Sequence, residues 1–315
     1  MADNTPRKIG SLSVHPLALG GNVFGWTADE KQSFAVLDAY AEAGGDFIDT
    51  ADVYSAWVPG NQGGESETVI GDWIAARRNR DAVVVATKVG HGVPAHRGLK
   101  PAVIRADVEA SLRRLRTDYI DLYYTHVDDT SVPVEDIITT LDGLVKEGKV
   151  REIGASNITA ERLRASLDFS AASGLAKYVA IQPHYNLVSR DTYEGDLAAV
   201  AAEHGLAAVP YFALASGFLT GKYRPGATVD SARAGGAQKY LESERGPRVL
   251  AALDEVAAAH GAEPATVALA WLAAQPTVST PLASARTVDQ LPPLLAVADL
   301  KLTGADLTRL TQASA

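Results

Sequence analysis

Short apolar runs alternate along the chain with longer stretches whose apolar positions recur at helical spacing. The runs fall at residues 17–20, 46–49, 82–88, 119–125, 151–155, 178–182, 206–211 and 278–282. Several are rich in Val, Ile and Tyr and apolar through their length, as strands covered on both faces of a parallel sheet are. Between them, Ile104, Val108, Leu112 and Leu115 follow Pro101 at intervals of four, four and three. That spacing predicts a helix with proline in its first turn. Ile138, Leu141 and Val145 mark another helix, with Gly148 as its stop. Thr159 is placed to cap a third at its N-terminus.

Eight strands joined by helical crossovers predict a (β/α)8 TIM barrel, as one domain over residues 1–315. The competing architecture is a doubly wound open sheet, which usually carries a Gly-rich phosphate turn after its first strand. Residues 20–25 read GGNVFG and lack the G-x-G-x-x-G spacing. Residues 7–16 fit a short N-terminal hairpin that closes the barrel floor. Four irregular stretches, residues 56–64, 89–98, 127–133 and 222–247, belong on this reading at the C-terminal face, where barrel active sites are built. The last is read as one long, Gly-rich, charged loop.

Composition narrows the possible partners. The formal net charge of −9 over 315 residues argues against nucleic acid or an anionic membrane surface. The absence of cysteine excludes disulfides and thiolate-bound metals. There is no apolar run of 18 residues, and the first ten residues lack the apolar core of a secretory signal, so a cytoplasmic location is expected. His15, His91 and His96 match no established ligand spacing, and no metal is expected.

The ends of the predicted strands carry polar residues: Asp49, Lys88, His126, Ser156 with Asn157, Gln182 and Tyr211, then Ser284 and Arg286 after the eighth. A barrel brings all of them to one mouth. A free tyrosine has a pKa near ~10, too high for an efficient acid at neutral pH. A lysine cation beside Tyr54 lowers it, and Lys88 is the candidate. Asp49 supplies the counter-charge that a buried lysine needs. His126 is suited to donate a hydrogen bond to a substrate carbonyl. Ser156 and Asn157 read either as an amide and hydroxyl that hold a carboxamide or as a helix cap. Trp26 and Trp57 lie on loops reaching the mouth and offer flat walls for a sugar ring or cyclic ketone. Val127 and Asp128 stand with them as substrate contacts, although Asp128 and Asp129 equally suit a turn.

The segments DTADVY (residues 49–54), ATK (86–88), DLYYTH (121–126), IGASN (153–157), QPHYNL (182–187) and LASGFLTGKY (214–223) together make the chain resemble the aldo-keto reductases over nearly its whole length. The resemblance implies a (β/α)8 barrel and NADPH-dependent reduction of an aldehyde or ketone, with cofactor binding first. It matches Asp49, Tyr54, Lys88 and His126 to the family's catalytic tetrad. Ser156, Asn157 and Gln182 match contacts to the nicotinamide carboxamide, and Tyr211 the aromatic that stacks on the nicotinamide ring. Leu214, Ser216, Gly217, Leu219 and Lys222 match the segment over the pyrophosphate. Gly21, Asn22 and Val23, after the first strand, are counted with the cofactor contacts. Ser284, Arg286 and Gln290 align with the family's last cofactor segment, but Pro293 and Leu294 replace an acid-amide pair near the adenine. Arg286 suits a 2′-phosphate, so NADPH/NADP+ is expected ahead of NADH.

The expected partner is a small-molecule carbonyl substrate; the oligomeric state is unreadable because apolar helix faces fit barrel packing as well as a partner. A competing reading is a regulatory subunit of the potassium-channel type, in which the tetrad histidine is typically asparagine; His126 favours the enzyme. A barrel isomerase or aldolase with a catalytic lysine leaves the Tyr54–Asp49 pairing unexplained.

Overall fold

The computed structural model describes residues 6–92, 96–224, 226, 229 and 234–315. Arg7–Ile9 (β1) and Leu12–Val14 (β2) form an antiparallel hairpin. Eight parallel strands follow in chain order: Ala18–Gly20 (β3), Phe47–Asp49 (β4), Val84–Val89 (β5), Ile120–Thr125 (β6), Val150–Ser156 (β7), Tyr178–Gln182 (β8), Ala207–Ala208 (β9) and Leu282–Ala283 (β10). Each pairs with the next as far as β9, and β10 pairs back onto β3. Single backbone bonds close the ring: Ala208 N–H donates to Thr277 O at 2.8 Å, Ser279 N–H to Ala208 O at 2.9 Å, and Leu282 N–H to Pro210 O at 3.1 Å. The helices are α1 (Glu30–Glu42), α2 (Glu65–Arg77), α3 (Pro101–Leu115), α4 (Val134–Lys146), α5 (Ala160–Ser173), α6 (Asp196–Glu203), α7 (Ala234–Leu241), α8 (Arg245–His260), α9 (Pro264–Ala273), α10 (Leu291–Leu295) and α11 (Gly304–Ala313). The architecture is a (β/α)8 barrel with an N-terminal hairpin.

Local chemistry sets the helix limits. Pro101 opens α3, whose missing N–H costs nothing in a first turn. The Thr159 hydroxyl accepts from Arg162 N–H and caps α5. That cap excludes the reading of Ser156 and Asn157 as the helix start. After α4, Gly148 takes φ +74, which glycine adopts without a Cβ penalty.

Two predicted strands are shorter than expected. The ladder within 206–211 ends at Ala208 because Pro210 has no N–H to give; Tyr211 makes only a lone bridge with His184. In 278–282, Val278 makes only a bridge with Ala208, Pro281 likewise lacks a donor, and pairing starts at Leu282. Nor is 222–247 one loop: α7 and the start of α8 lie within it. Residues 225, 227–228 and 230–233 of that stretch, and 93–95 of the 89–98 stretch, lie outside the described residues.

Alternate residues of a strand face opposite sides of the sheet. One set here points outward to the helices and joins Ile104, Val108, Ile138 and Leu141 in the larger core. The other set fills the barrel. Phe47, Ala86, Leu122, Tyr124 and Ala180 pack inside with Ile9, Leu12 and Val14 of the hairpin, which plugs the floor. Two residues further along β4, β5 and β8 on that same inward face stand Asp49, Lys88 and Gln182; His126 follows Tyr124 in the same way. The candidate site is therefore the uppermost layer of the barrel interior.

Helices α2 and α3 approach closely at Gly71. A Cβ there would lie 2.1 Å from Arg114 O and 2.8 Å from Leu115 Cα, both backbone atoms that cannot swing aside. Gly71→Ala is expected to destabilise the fold by about 1–3 kcal/mol. Urea denaturation checks this, and an unchanged midpoint would refute the close approach.

Candidate active site

Lys88 and Asp49 are completely buried, and their side chains meet at 2.6 Å. Lys88 Nζ donates to Asp49 Oδ2 (2.6 Å), to Thr50 O (2.6 Å) and to Tyr54 Oη (3.1 Å). An ammonium has three donors and no acceptor, so all its capacity is used. The Tyr54 oxygen is therefore the acceptor of that bond, and its own proton is left for a partner in the cavity. The second oxygen of Asp49 accepts from Gln182 Nε2 at 2.8 Å. β4, β5 and β8 are thereby tied together at their C-terminal ends.

The loop after β4 holds Tyr54 over this pair. Ser55 adopts φ +72, and its hydroxyl donates to Phe24 O at 2.8 Å. The Asn61 amide donates to Ser55 O and Gly25 O, both at 3.1 Å. Asn157, Phe212, Ala215 and Ser216 also have positive φ. Five of the eight described non-glycine residues with left-handed backbone thus lie in the loops about this mouth, as strain does at functional sites. Of the others, Arg78 and Arg116 end α2 and α3, and Thr277 lies at the closing seam.

The Tyr54 hydroxyl has its pKa raised, contrary to the expectation of a lowered value. Burial is the largest cause; Lys88 pulls the other way, but Asp49 offsets its charge. Lys88 itself stays protonated, because Asp49 and Tyr54 outweigh the burial that disfavours its charge. His126 is held well below the usual imidazole range by burial, with the Lys88 charge and the neighbouring His91 adding to it. Its Nδ1 is buried with no hydrogen-bond partner among the described residues. The His126 ring lies 6.0 Å from that of Tyr54 and 5.2 Å from that of His91.

A cavity of about 1100 Å³ opens above these groups. Of the predicted cofactor residues, Asn22, Val23, Ser156, Asn157, Gln182, Tyr211, Leu214, Ser216, Gly217, Lys222, Ser284, Arg286 and Gln290 line it. So do Tyr54, His126, Trp26, Trp57 and Val127. Gly21 and Leu219 do not: Gly21 lies behind the wall against Ser66, and Leu219 is a core residue. Asp128 is also turned away, because the Arg162 guanidinium engages both of its oxygens at 3.0–3.1 Å. Asp129 makes a turn, accepting from Ser131 and from Leu99 N–H. The Tyr211 ring stacks on His184 at 5.4 Å, and its hydroxyl donates to Asn157 Oδ1 at 2.7 Å. Ser284 Oγ donates to Asn22 Oδ1 at 2.7 Å, joining the strand ends of β3 and β10. His15 accepts from Leu17 N–H, and His96 pairs with Asp107. Among the described residues, no cluster of acidic or imidazole side chains suits a metal, and no helix is long and apolar enough to cross a membrane.

The sequence pattern that defines the aldo/keto reductase family matches residues 16–315. The chain belongs to that family. Similar proteins include norsolorinic acid reductase B of Aspergillus parasiticus, 32% identical over 96% of this chain and 81% of its own. Protein tas of Escherichia coli is 33% identical over 89% of this chain and 88% of its own. The NADP(+) aryl-alcohol dehydrogenase of Phanerodontia chrysosporium is 31% identical over 95% and 79%.

In this aldo/keto reductase family member, several cavity residues escaped the reading of the sequence. Phe212 adjoins the recognised Tyr211, and His91 lies in the 89–98 stretch already expected at the mouth; those positions were the available signal. Asp289 likewise adjoins Gln290, whereas Glu263, at the start of α9, carries no such mark. Pro293 and Leu294, noted only as departures, both line the cavity.

Asp52, between Asp49 and Tyr54, has both carboxylate oxygens buried and unpartnered among the described residues. Burial, then the Glu67 and Asp107 charges, push its pKa up from 3.8 to about 8. As pH rises through this window, the unfolded chain gives up the proton while the folded chain keeps it. Folding is penalised progressively up to about pH 8 and constantly above it. Asp52→Asn is expected to gain melting temperature over wild type by a margin that widens across that window and then levels. A margin independent of pH would show that Asp52 does not hold a proton.

Proposed function

We propose that this protein reduces an aromatic or other cyclic aldehyde or ketone to an alcohol with NADPH. The observation that carries the reading is the orientation of the Tyr54 hydroxyl, an acceptor toward Lys88 and hence a proton donor toward the cavity. The fit of a dinucleotide rests on the far half of the cavity. Lys222 and Arg286 line it and make no ion pair with a described residue, so both cations are available to phosphate groups. Gly217, at φ +89, lets the backbone turn at the cavity wall beside Lys222. Ser156, Asn157 and Gln182 are the candidates to hold the carboxamide, Tyr211 to flank the ring, and Arg286 to select a 2′-phosphate. Bound there, the nicotinamide supplies a hydride.

The chain's own residues do the rest. Tyr54 donates its proton to the carbonyl oxygen, and Lys88 stabilises the phenolate that forms. Asp49 keeps Lys88 charged and in place. Neutral His126 hydrogen-bonds the same oxygen and fixes its approach. Trp26 and Trp57 meet edge to face at 5.5 Å and wall the substrate side. The names of the norsolorinic acid reductase and aryl-alcohol dehydrogenase relatives support an aromatic substrate. The potassium-channel-type alternative is not favoured: His126 is present and these relatives are named as redox enzymes.

Tyr54→Phe is expected to cut turnover of an aromatic aldehyde by roughly 100- to 10,000-fold while NADPH still binds. Absorbance of NADPH and fluorescence titration measure the two, and full activity in the variant would remove the acid assignment. Arg286→Ala is expected to raise Kd for NADPH by about tenfold, the worth of one charge-assisted bond, with little effect on NADH. Equal effects on both would remove the basis for preferring NADPH.

A further inference from the structure

Aromatic rings line the cavity beside Tyr54: the Trp57 ring lies 6.1 Å from it and the Trp26 ring 5.5 Å from Trp57. Trp57 is 49% exposed and Phe212 43%, although both are large and apolar. Such surfaces, open on a cavity, accommodate a planar ring. The Thr27 hydroxyl is at the wall but is itself buried. Of the nearby carboxylates, Asp128 is held by Arg162 and does not line the cavity, Glu263 adjoins Pro264, which packs on Gly221 beside Lys222, and Asp289 follows Arg286 by three residues.

His91 is different. It follows β5, lines the cavity and is exposed, and its ring makes no hydrogen bond with a described residue. Its centroid lies 5.2 Å from that of His126, which lies 6.0 Å from Tyr54. A ring whose carbonyl meets Tyr54 and His126 brings its substituents within reach of His91. An imidazole offers a donor at one nitrogen and an acceptor at the other, and a hydroxyl complements both.

We propose that His91 is a specificity-determining residue that hydrogen-bonds a hydroxyl on the substrate's aromatic ring. The site thereby prefers hydroxylated aryl aldehydes or ketones over unsubstituted ones. This rests on the reductase reading above and adds the recognised substituent to it.

The test compares kcat/KM with NADPH for benzaldehyde, its three hydroxy isomers and 3-carboxybenzaldehyde. Wild type is set against His91→Ala, His91→Phe and His91→Gln. The electronic effect of each substituent is common to all four proteins and cancels in the comparison. For at least one isomer, the ratio of hydroxylated to unsubstituted substrate falls about fivefold in the Ala and Phe variants, the worth of one hydrogen bond. His91→Gln, which keeps a donor and an acceptor, restores part of it. A ratio unchanged for all three isomers, with wild type active, overturns the proposal and leaves the reductase reading standing. A loss confined to the carboxylate arm also overturns it, since His91 then serves an anion. Failure of wild type to oxidise NADPH with any of the aldehydes brings down the reductase reading and this proposal with it.

Discussion

A lysine cation with no exposed surface sits at the top of the barrel against an equally buried aspartate, and the rest of the candidate site is arranged around that pair. Removing two charges from water costs several kcal/mol per ion, and only excellent geometry with every donor and acceptor used repays it. Lys88 meets the condition with three bonds, and Asp49 meets it with a bond to each oxygen. Because the partners come from β4, β5, β8 and the loop after β4, satisfying the pair fixes those strand ends relative to one another. Loss of one partner strands a buried charge, at a cost of about 3–5 kcal/mol.

The pair also sets the electrostatics above it. Its charges offset each other, so Lys88 does not pull the Tyr54 hydroxyl below its ordinary range; burial wins and the proton stays on. The same burial, with Lys88 nearby, keeps His126 neutral. Two groups that can each donate a hydrogen bond to one oxygen are thus present in uncharged form. Both line a cavity whose wall also carries the two cations Lys222 and Arg286.

Much of this was legible in the chain. Parallel strands buried on both faces leave an apolar run, and an inward position two residues past the last apolar one emerges at the mouth. Phe47 then Asp49, Ala86 then Lys88, and Ala180 then Gln182 each carry that signature. Where the signature weakened, so did the reading. β9 and β10 are two-residue strands flanked by prolines, and their limits follow from which carbonyls accept across the closing seam. No local pattern encodes that.

The sequence alone determined the residue types, their period and their order, and hence the barrel and the polar layer at its top. Tertiary structure decided which side chains face the cavity. Asp128 looks like a substrate contact until Arg162, 34 residues away, takes both of its oxygens. Tyr54 looks like a tyrosine made acidic by Lys88 until burial and Asp49 are weighed in. Glu263 reaches the cavity from the start of α9, which carries no motif of its own. The reason is common to all three. Strand period is a local property of the backbone, whereas the direction and charge of a side chain depend on partners that only folding brings near.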